Sequence, residues 1–326
     1  MACRPFRPHP MAVGGHRQTL LGFLVRRGLG WEPPTEDLVV DGEDGVRLLV
    51  RASWQPRTAG DRSAVVIVHG LGGDDGSSYV VATGALAWER GYHVLRMNMR
   101  GAGASAELCP RLYNAGLDQD LLAVLEAAGR RVERLFVVGF SLGASQLLLC
   151  LGRLAERVPV ALRSAVAISP PLDLAACTDT LERPSNWAYQ RYFMLKLRRD
   201  YRSIQRKSGG RYAPALEKGP RTVREYDDTI TAPYGGWKSS ADYYARSSAG
   251  PHLRRIDRPT LVLAAEDDPM IPIASVTRWP LPADGTVRLE SLRTGGHVGF
   301  VAGTAAPGRF WAAERALAFV EETGAR

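Results

Sequence analysis

The pentapeptide Gly139-Phe140-Ser141-Leu142-Gly143 has the clearest chemical potential in this sequence. It follows an apolar run typical of a buried strand and precedes a run of good helix formers. In the order strand, G-x-S-x-G, helix, the serine lies on a sharp turn that presents its hydroxyl above the sheet. The two glycines leave room where strand and helix cross, and the helix start offers free N–H groups to a developing oxyanion. We therefore predict Ser141 as a nucleophile.

A serine hydroxyl needs a base that removes its proton, and the base needs an acid that orients it. Of the two histidines that follow the serine in the chain, His297 lies in a glycine-flanked loop after a short apolar segment, and we predict it as the base. The acid is expected at the end of the strand predicted over residues 260–264, where three acids follow one another. Asp268 is the first choice because Pro269 fixes the turn after it, and Asp267 stays open as the alternative.

A second oxyanion donor is expected from the loop after the strand predicted over residues 64–68. This strand runs into a glycine-rich loop, residues 69–73, whose backbone can approach a substrate carbonyl closely. We assign the donors to the backbone N–H groups of Leu71 and Leu142, with Gly72 as the alternative to Leu71. The residues expected to support the site by packing or close backbone approach are His69, Gly70, Gly72, Gly139 and Gly143.

The composition is that of an ordinary globular chain, with 326 residues, 45% hydrophobic and 23% charged. Strand-like and helix-like segments alternate from about residue 37 onward, which indicates one α/β sheet domain. The apolar runs are too short for a membrane span, and the N-terminus lacks the layout of a signal peptide, so we expect a cytoplasmic location. Four scattered cysteines without C-x-x-C suggest neither a metal site nor a redox dithiol, and no nucleotide-binding fingerprint is present.

The alternation of strands and helices is interrupted by a long segment in which helical patterns dominate. An insertion of this size after the sixth strand would overhang the predicted serine as a lid, and lids exclude water from acyl substrates. The predicted units are an N-terminal arm (1–35), the first part of the core (36–170), a helical lid insert after strand 6 (171–251) and the second part of the core (252–326).

The insert carries most of the excess positive charge. Residues 183–225 contain twelve Lys or Arg and three Asp or Glu, a net charge of +9, whereas the whole chain has +8. A helix is predicted over residues 186–207 with Ser185 as its N-cap, and its apolar and arginine positions fall on opposite faces. The insert residues expected to contact substrate are Tyr189, Phe193 and Trp237.

Three interpretations of this basic helix stay open. It can be a lid helix with its arginines in water, an element that contacts an anionic membrane surface weakly, or an electrostatic funnel for acidic substrates. Nucleic acid is not an expected partner, because nothing in the sequence resembles a groove-reading module.

Taken together, these motifs resemble the YheT-like alpha/beta-hydrolases, a branch that also includes eukaryotic membrane-associated phospholipid and acylglycerol esterases. The resemblance covers roughly residues 16–320 and is weakest at about 180–222, where the basic helix lies. Upstream of that stretch, residues 113–116 depart from the family's usual Tyr-His-x-Gly by having Asn114 in place of the histidine. The similar motifs are H-x-Q-T at 16–19, the loop at 69–73, N-x-R-G at 98–101, the acidic turn at 228–233 and the Gly-Gly-His loop at 295–300.

The resemblance implies an alpha/beta-hydrolase fold, with a mostly parallel eight-stranded sheet flanked by helices. It implies a serine esterase with the triad Ser141, Asp268 and His297, an acyl-enzyme intermediate and no cofactor. The expected substrates are short-chain or lipid-like carboxylic esters.

Two other functions remain compatible with these residues. An acyltransferase would use the same triad and pass the acyl group to an alcohol or thiol instead of water. A non-catalytic binding protein would keep the fold, since a fold does not prove a function. The sequence gives no expectation for the oligomeric state.

Overall fold

One mixed sheet of eight strands forms the centre of the protein in the computed structural model, which describes residues 3–24, 30–56, 62–303 and 310–324. The strands are β1 (Glu36–Asp41), β2 (Arg47–Ser53), β3 (Ser63–Val68), β4 (His93–Met97), β5 (Arg134–Phe140), β6 (Leu162–Ile168), β7 (Thr260–Ala265) and β8 (Val287–Leu292). Their order in the sheet is β1-β2-β4-β3-β5-β6-β7-β8. Strand β2 runs opposite to the other seven strands, which share one direction. The predicted mostly parallel eight-stranded sheet is therefore confirmed.

Helices α4 and α5 cover one face of the sheet, and α2 and α12 cover the other. The helices of the described residues are α1 (Gly15–Leu24), α2 (Ser78–Glu89), α3 (Ser105–Leu108), α4 (Asp118–Gly129), α5 (Leu142–Arg153), α6 (Leu174–Leu181), α7 (Trp187–Lys207), α8 (Val223–Tyr226), α9 (Ala232–Gly235), α10 (Ser240–Ser247), α11 (Ile273–Thr277) and α12 (Trp311–Gly324). Within the described ranges, no helix combines the length and the apolar character needed to cross a membrane.

Strand β3 shows how the sheet separates two hydrophobic clusters. Ala64, Val66 and Val68 belong to the cluster under α4 and α5, whereas Val65 and Ile67 belong to the cluster under α2 and α12. Successive side chains of a strand point to opposite faces, so an entirely apolar strand must be covered on both sides. This requirement explains why the central strands read as continuous apolar runs rather than as alternating ones.

The parallel strands bring the predicted site residues to one edge of the sheet. Val68 at the end of β3 pairs with Gly139 of β5, and Gly139 pairs with Ala167 of β6. Strands β7 and β8 end at the same edge, because they run parallel to β6. Loops that follow these strands therefore converge, as expected for ligand sites at the carboxyl ends of parallel strands.

The segment between β6 and β7 contains α6 to α10, and among its described residues there is no strand. Its long helix α7 begins at Trp187, close to the predicted start. The prediction of Ser185 as N-cap is wrong. Pro184 begins a 3₁₀ turn, Pro184–Asn186, and Asn186 takes the N-cap position. The buried Asn186 amide donates to the carbonyl oxygens of Thr180 (2.8 Å) and Pro269 (2.7 Å) instead of capping the helix.

Helix α1 ties the predicted N-terminal arm to the core, although residues 1–2 and 25–29 of that arm lie outside the described residues. The fully buried amide of Gln18 pairs with one backbone unit. Its Nε2 donates to the Val301 carbonyl (3.2 Å), and its Oε1 accepts from the Val301 N–H (2.7 Å). The His9 N–H also donates to the Val301 carbonyl (2.9 Å), so the Gln18 side chain is the partner that the buried Val301 N–H depends on.

We expect Gln18→Leu to lower the free energy of unfolding by about 2 kcal/mol, because the buried Val301 N–H loses its acceptor, whereas the Val301 carbonyl keeps the His9 N–H (2.9 Å). Urea denaturation measures this change. The matched control is Gln119→Leu, whose amide accepts only from the exposed Arg157 and should change stability by about 0.5 kcal/mol or less. Equal effects of the two substitutions would contradict a structural role of Gln18.

Candidate active site

Ser141 lies at the junction of β5 and α5 in a strained backbone conformation, with φ 50° and ψ −118°. Positive φ is costly for a residue with a side chain, so the surroundings must enforce it. The flanking glycines make the junction possible. A Cβ at Gly139 would lie 2.8 Å from the Ala144 Cα, and a Cβ at Gly143 would lie 2.3 Å from the His69 carbonyl oxygen.

The structure brings Ser141, His297 and Asp268 together in one hydrogen-bonded series. His297 Nε2 lies 2.8 Å from Ser141 Oγ, and His297 Nδ1 lies 2.9 Å from Asp268 Oδ2. The side chains of His297 and Asp268 are only 10% and 2% exposed, so little water competes for these bonds. With a carboxylate at Nδ1, that nitrogen carries the proton, and Nε2 is free to accept the proton of the serine hydroxyl.

The two adjacent acids after β7 have different partners. Asp268 Oδ1 accepts the N–H groups of Met270 (2.8 Å) and Ile271 (3.0 Å), which leaves Oδ2 to face the imidazole. Asp267 instead accepts from the Thr294 hydroxyl (2.6 Å) and from the N–H groups of two glycines, residues 295 and 296 (both 2.9 Å). Asp268 therefore contacts the histidine, whereas Asp267 fastens the loop that carries it.

Helix α1 supports the histidine loop from behind. The Thr19 hydroxyl accepts from the His297 N–H (2.8 Å) and donates to the Gly15 carbonyl (2.7 Å). The helix lies so close that a Cβ at Gly15 would be 1.6 Å from the Asp267 carbonyl oxygen. The sequence showed these residues only as part of a family motif, because nothing in residues 15–19 alone indicates a partner almost 280 positions away.

Among residues 70–73 of the loop after β3, one backbone N–H group has no hydrogen-bond acceptor in the described chain. Gly70 donates to the Tyr79 hydroxyl (2.8 Å), Gly72 donates to the Tyr113 hydroxyl (2.6 Å) and Gly73 donates to the Gly70 carbonyl (3.1 Å). Within the described part of the chain, the N–H of Leu71 has no acceptor. The same is true of the Leu142 N–H at the start of α5. Tyr79 and Tyr113 were missed by the sequence analysis, since neither neighbours the loop in the chain.

His69 is a packing residue of this loop. It is fully buried, the Met99 N–H donates to its Nε2 (3.2 Å), and its Nδ1 lies 2.8 Å from the Gly70 carbonyl oxygen. An acceptor at Nε2 and a carbonyl at Nδ1 define the neutral tautomer with the proton on Nδ1. Burial lowers the pKa of His69, in agreement with the neutral form.

A cavity of about 130 Å³ opens onto Ser141 and His297. The insert supplies much of its wall, including Phe193, Asp200, Asp227 and Tyr244. Leu71 and Leu142 of the core also line it. Of the three insert residues predicted to contact substrate, only Phe193 lines the cavity. The prediction is corrected for the other two: Tyr189 packs on His16 at 5.7 Å between ring centroids, and Trp237 packs on Tyr243 at 4.7 Å.

Asp227 is a cavity-wall acid that the sequence analysis did not single out. It begins a π-helical turn, Asp227–Thr231, and its Oδ2 accepts from the Tyr244 hydroxyl (2.7 Å). Burial raises the pKa of Asp227 to about 6, and burial also raises the pKa of Asp200 in the same wall. Apolar walls with acids that resist ionisation favour an uncharged ligand.

The family comparison agrees with this geometry. A family model described as "alpha/beta hydrolase fold" matches residues 63–304. The chain therefore belongs to the alpha/beta hydrolase fold family. The resemblance to its YheT-like branch is confirmed by the inferred esterase YheT of Escherichia coli (strain K12), which is 32% identical over 92% of this chain and 88% of its own length.

Two further comparisons extend the picture. The protein named phospholipase ABHD3 of Mus musculus is 28% identical over 75% of this chain, and the match spans 60% of that protein's length. The solved esterase Pf2001 of Pyrococcus furiosus has a TM-score of 0.57 and 16% identity, covering 99% of this chain and 100% of its own. At that identity, the structural likeness establishes the fold alone.

Substitution of Asp267 and Asp268 one at a time tests which of them orients His297. We expect Asp268→Asn to slow labelling of Ser141 by a fluorophosphonate probe by about 10³-fold or more, because an amide facing Nδ1 favours the wrong tautomer of His297. Asp267→Asn should keep labelling within about tenfold and lower the free energy of unfolding by about 1 kcal/mol. The reverse order of labelling rates would identify Asp267 as the orienting acid.

The raised pKa of Asp227 makes stability depend on pH with a defined sign. The folded state holds this proton more tightly than the unfolded chain, so ionisation between about pH 4 and 6 destabilises the fold. The variant Asp227→Asn has no carboxyl to ionise at this position. The difference in free energy of unfolding between the variant and the wild type should therefore shift in favour of the variant by about 2 kcal/mol from pH 4 to pH 6. Urea denaturation of both proteins at both ends of the window measures the difference. A difference that stays constant with pH would contradict the assignment.

Proposed function

We propose that this protein is a serine hydrolase that cleaves small carboxylic esters through an acyl-enzyme. The observation that carries the proposal is the relay of Ser141, His297 and Asp268, with distances of 2.8 and 2.9 Å, beside two N–H groups without an acceptor in the described chain. A nucleophile, a base, an orienting acid and an oxyanion site are the parts that acyl transfer requires.

In the first half-reaction, His297 Nε2 takes the proton of the Ser141 hydroxyl while the serine oxygen bonds to the ester carbonyl carbon. The carbonyl electron pair moves to its oxygen, which becomes an oxyanion. Asp268 holds the imidazole in the required tautomer and stabilises its charged form. The oxyanion then re-forms the carbonyl, the bond to the alcohol breaks, and the proton on His297 passes to the leaving alcohol.

The negative charge on the oxyanion is the main charge that the site must stabilise in this reaction. We assign its donors to the N–H groups of Leu71 and Leu142, because the neighbouring N–H of Gly72 is engaged by Tyr113. Each such donor contributes about 3 to 4 kcal/mol to the transition state. In the second half-reaction, His297 takes a proton from water, the hydroxide attacks the acyl-enzyme, and Ser141 regains its proton as the acid leaves.

The cavity supports short acyl groups as the substrate class. Its volume of about 130 Å³ is close to that of an engineered cavity of roughly 150 Å³ that binds benzene. The apolar residues and weakly acidic carboxyls of its wall suit an uncharged ester. The relatives' names, an esterase and a phospholipase, agree with ester substrates and leave lipid-like esters as the wider class.

We further propose that residues 171–251 act as a lid over this cavity, between the two parts of the core at 36–170 and 252–326. Phe193 and Leu197 of α7 and Val223 of α8 belong to the cavity wall, so the insert encloses the acyl group and limits water. Since water exclusion separates hydrolases from acyltransferases, the same triad would serve an acyltransferase if an alcohol or thiol entered instead.

The proposal is tested with a series of p-nitrophenyl esters from acetyl to palmitoyl. We expect the wild type to prefer the short acyl chains, and Ser141→Ala to lose at least about 10⁴-fold in kcat. Ser185→Ala, a change at an exposed serine, should have full activity. Activity retained by Ser141→Ala would refute the mechanism, whereas an optimum at long chains would refute the size argument. Alkyl esters formed on addition of an alcohol would assign the acyltransferase reaction.

A further inference from the structure

Helix α1 has an inverted pattern of burial. It buries Gly15, Gln18, Thr19 and Gly22, which are small or polar. On its other side Leu20, Phe23 and Leu24 are 53%, 65% and 72% exposed. A surface helix of a globular protein normally buries its large apolar side chains and exposes its polar ones. The buried polar groups are explained by their bonds to the core, but nothing in the described chain covers the exposed apolar face.

Helix α7 continues this exposed face. Its Trp187 and Leu195 are 67% and 56% exposed. The two helices are in contact, since the rings of Phe23 and Tyr192 lie 5.4 Å apart and His16 stacks on Tyr189. Six of the eleven exposed large hydrophobic side chains in the described residues fall on these two helices, and Met11 and Val13 directly precede α1. We call the eight residues the docking surface: Met11, Val13, Leu20, Phe23, Leu24, Trp187, Tyr192 and Leu195. Such clustering indicates an interaction site rather than scattered surface residues.

Positive charge adjoins the docking surface. A surface groove of about 500 Å³ contains Trp187 and Leu195, and its basic residues are Arg183, Arg191, Arg198 and Arg221. The one acid in its wall, Glu182, is paired with Arg224. Arg183 and Arg191 are exposed, and no carboxylate of the described residues lies within ion-pair distance of them. The groove therefore has guanidinium groups available for an anion.

We propose that α1 and α7 dock this protein onto an anionic phospholipid surface. The apolar side chains of the docking surface enter the boundary between headgroups and acyl chains, and the arginines of the groove bind lipid phosphates. A second copy of this chain fits less well, because it would bring the same positive charge against itself. The binding goes beyond ester cleavage, because none of these residues belongs to the proposed triad.

The docking helices also contact the candidate active site. Thr19 of α1 holds the His297 N–H, and Phe193 of α7 lines the cavity beside Ser141. A surface that holds both helices at the lipid boundary therefore keeps the cavity close to the phase in which apolar esters concentrate.

Co-sedimentation with vesicles tests the proposal on the full chain. We expect binding to vesicles of equal parts phosphatidylcholine and phosphatidylglycerol, weaker binding to pure phosphatidylcholine, and a decrease at high salt. Phe23→Ser combined with Leu24→Ser should lower the partition coefficient by at least about tenfold. The matched control, Val39→Ser combined with Val160→Ser, changes two exposed apolar residues elsewhere and should bind as the wild type does.

A charge variant separates the two components of binding. Arg183→Gln combined with Arg191→Gln should lower binding to the anionic vesicles by roughly tenfold or more, at about fivefold per basic residue, and leave binding to pure phosphatidylcholine unchanged. The control is Arg254→Gln combined with Arg255→Gln, two exposed arginines outside the surface. Soluble glycerophosphate should not displace the protein, because it offers the phosphate without the apolar phase.

Three outcomes would overturn the proposal. The first is a wild type that binds neither vesicle, and the second is an equal loss of binding in the control variants. The third is an oligomer in sedimentation velocity that Phe23→Ser with Leu24→Ser dissociates, which would identify a second copy as the occupant. Ser141→Ala should bind vesicles like the wild type, so a failure of the esterase proposal does not affect this test.

Discussion

The backbone at Ser141 is the constraint on which the rest of the site depends. A non-glycine residue at φ 50° is strained, and it persists only because β5 and α5 are both fixed by buried packing on either side of it. The turn requires glycine at 139 and 143, where strand and helix backbones nearly touch. Gly70 is also close to the turn, since a Cβ there would lie 3.1 Å from the Ser141 Cβ. The serine's position therefore limits the space at Gly70, the residue of the loop after β3 that lies against it.

The loop that carries His297 also contains strained backbone, which is held by hydrogen bonds. Val298 and Phe300 also have positive φ, at 54° and 41°, although neither is a glycine. Hydrogen bonds fix this loop instead: Asp267 accepts two of its N–H groups, and Thr19 accepts that of His297. Because Thr19 belongs to α1, a helix near the start of the chain completes a site whose other members all follow strands. The proposed catalytic geometry thus depends on a contact between segments almost 280 residues apart.

The sequence was informative where local structure determines the answer and uninformative where a distant partner does. The sheet and the elbow at Ser141 could be predicted, because apolar runs and glycine spacing are local signals. The choice of Asp268 over Asp267 had only Pro269 as a local signal, since the two acids differ mainly in what their side chains meet after folding. The choice of Leu71 over Gly72 as oxyanion donor likewise depends on a distant residue, because the Gly72 N–H donates to the Tyr113 hydroxyl. Ser185 failed as an N-cap because the adjacent proline begins a separate turn before the helix.

Helix α1 shows the limit of periodicity most clearly. A pattern of apolar residues defines a face, and the usual assumption turns that face inward. Here the polar face is inward, because Gln18 and Thr19 satisfy backbone groups of the loops beside the site more directly than apolar side chains could. The orientation of the large apolar side chains toward solvent then follows from geometry: a helix that commits one side to hydrogen bonds within the fold has only the opposite side left for them. The support of the histidine loop and the exposed apolar surface are therefore two faces of one helix.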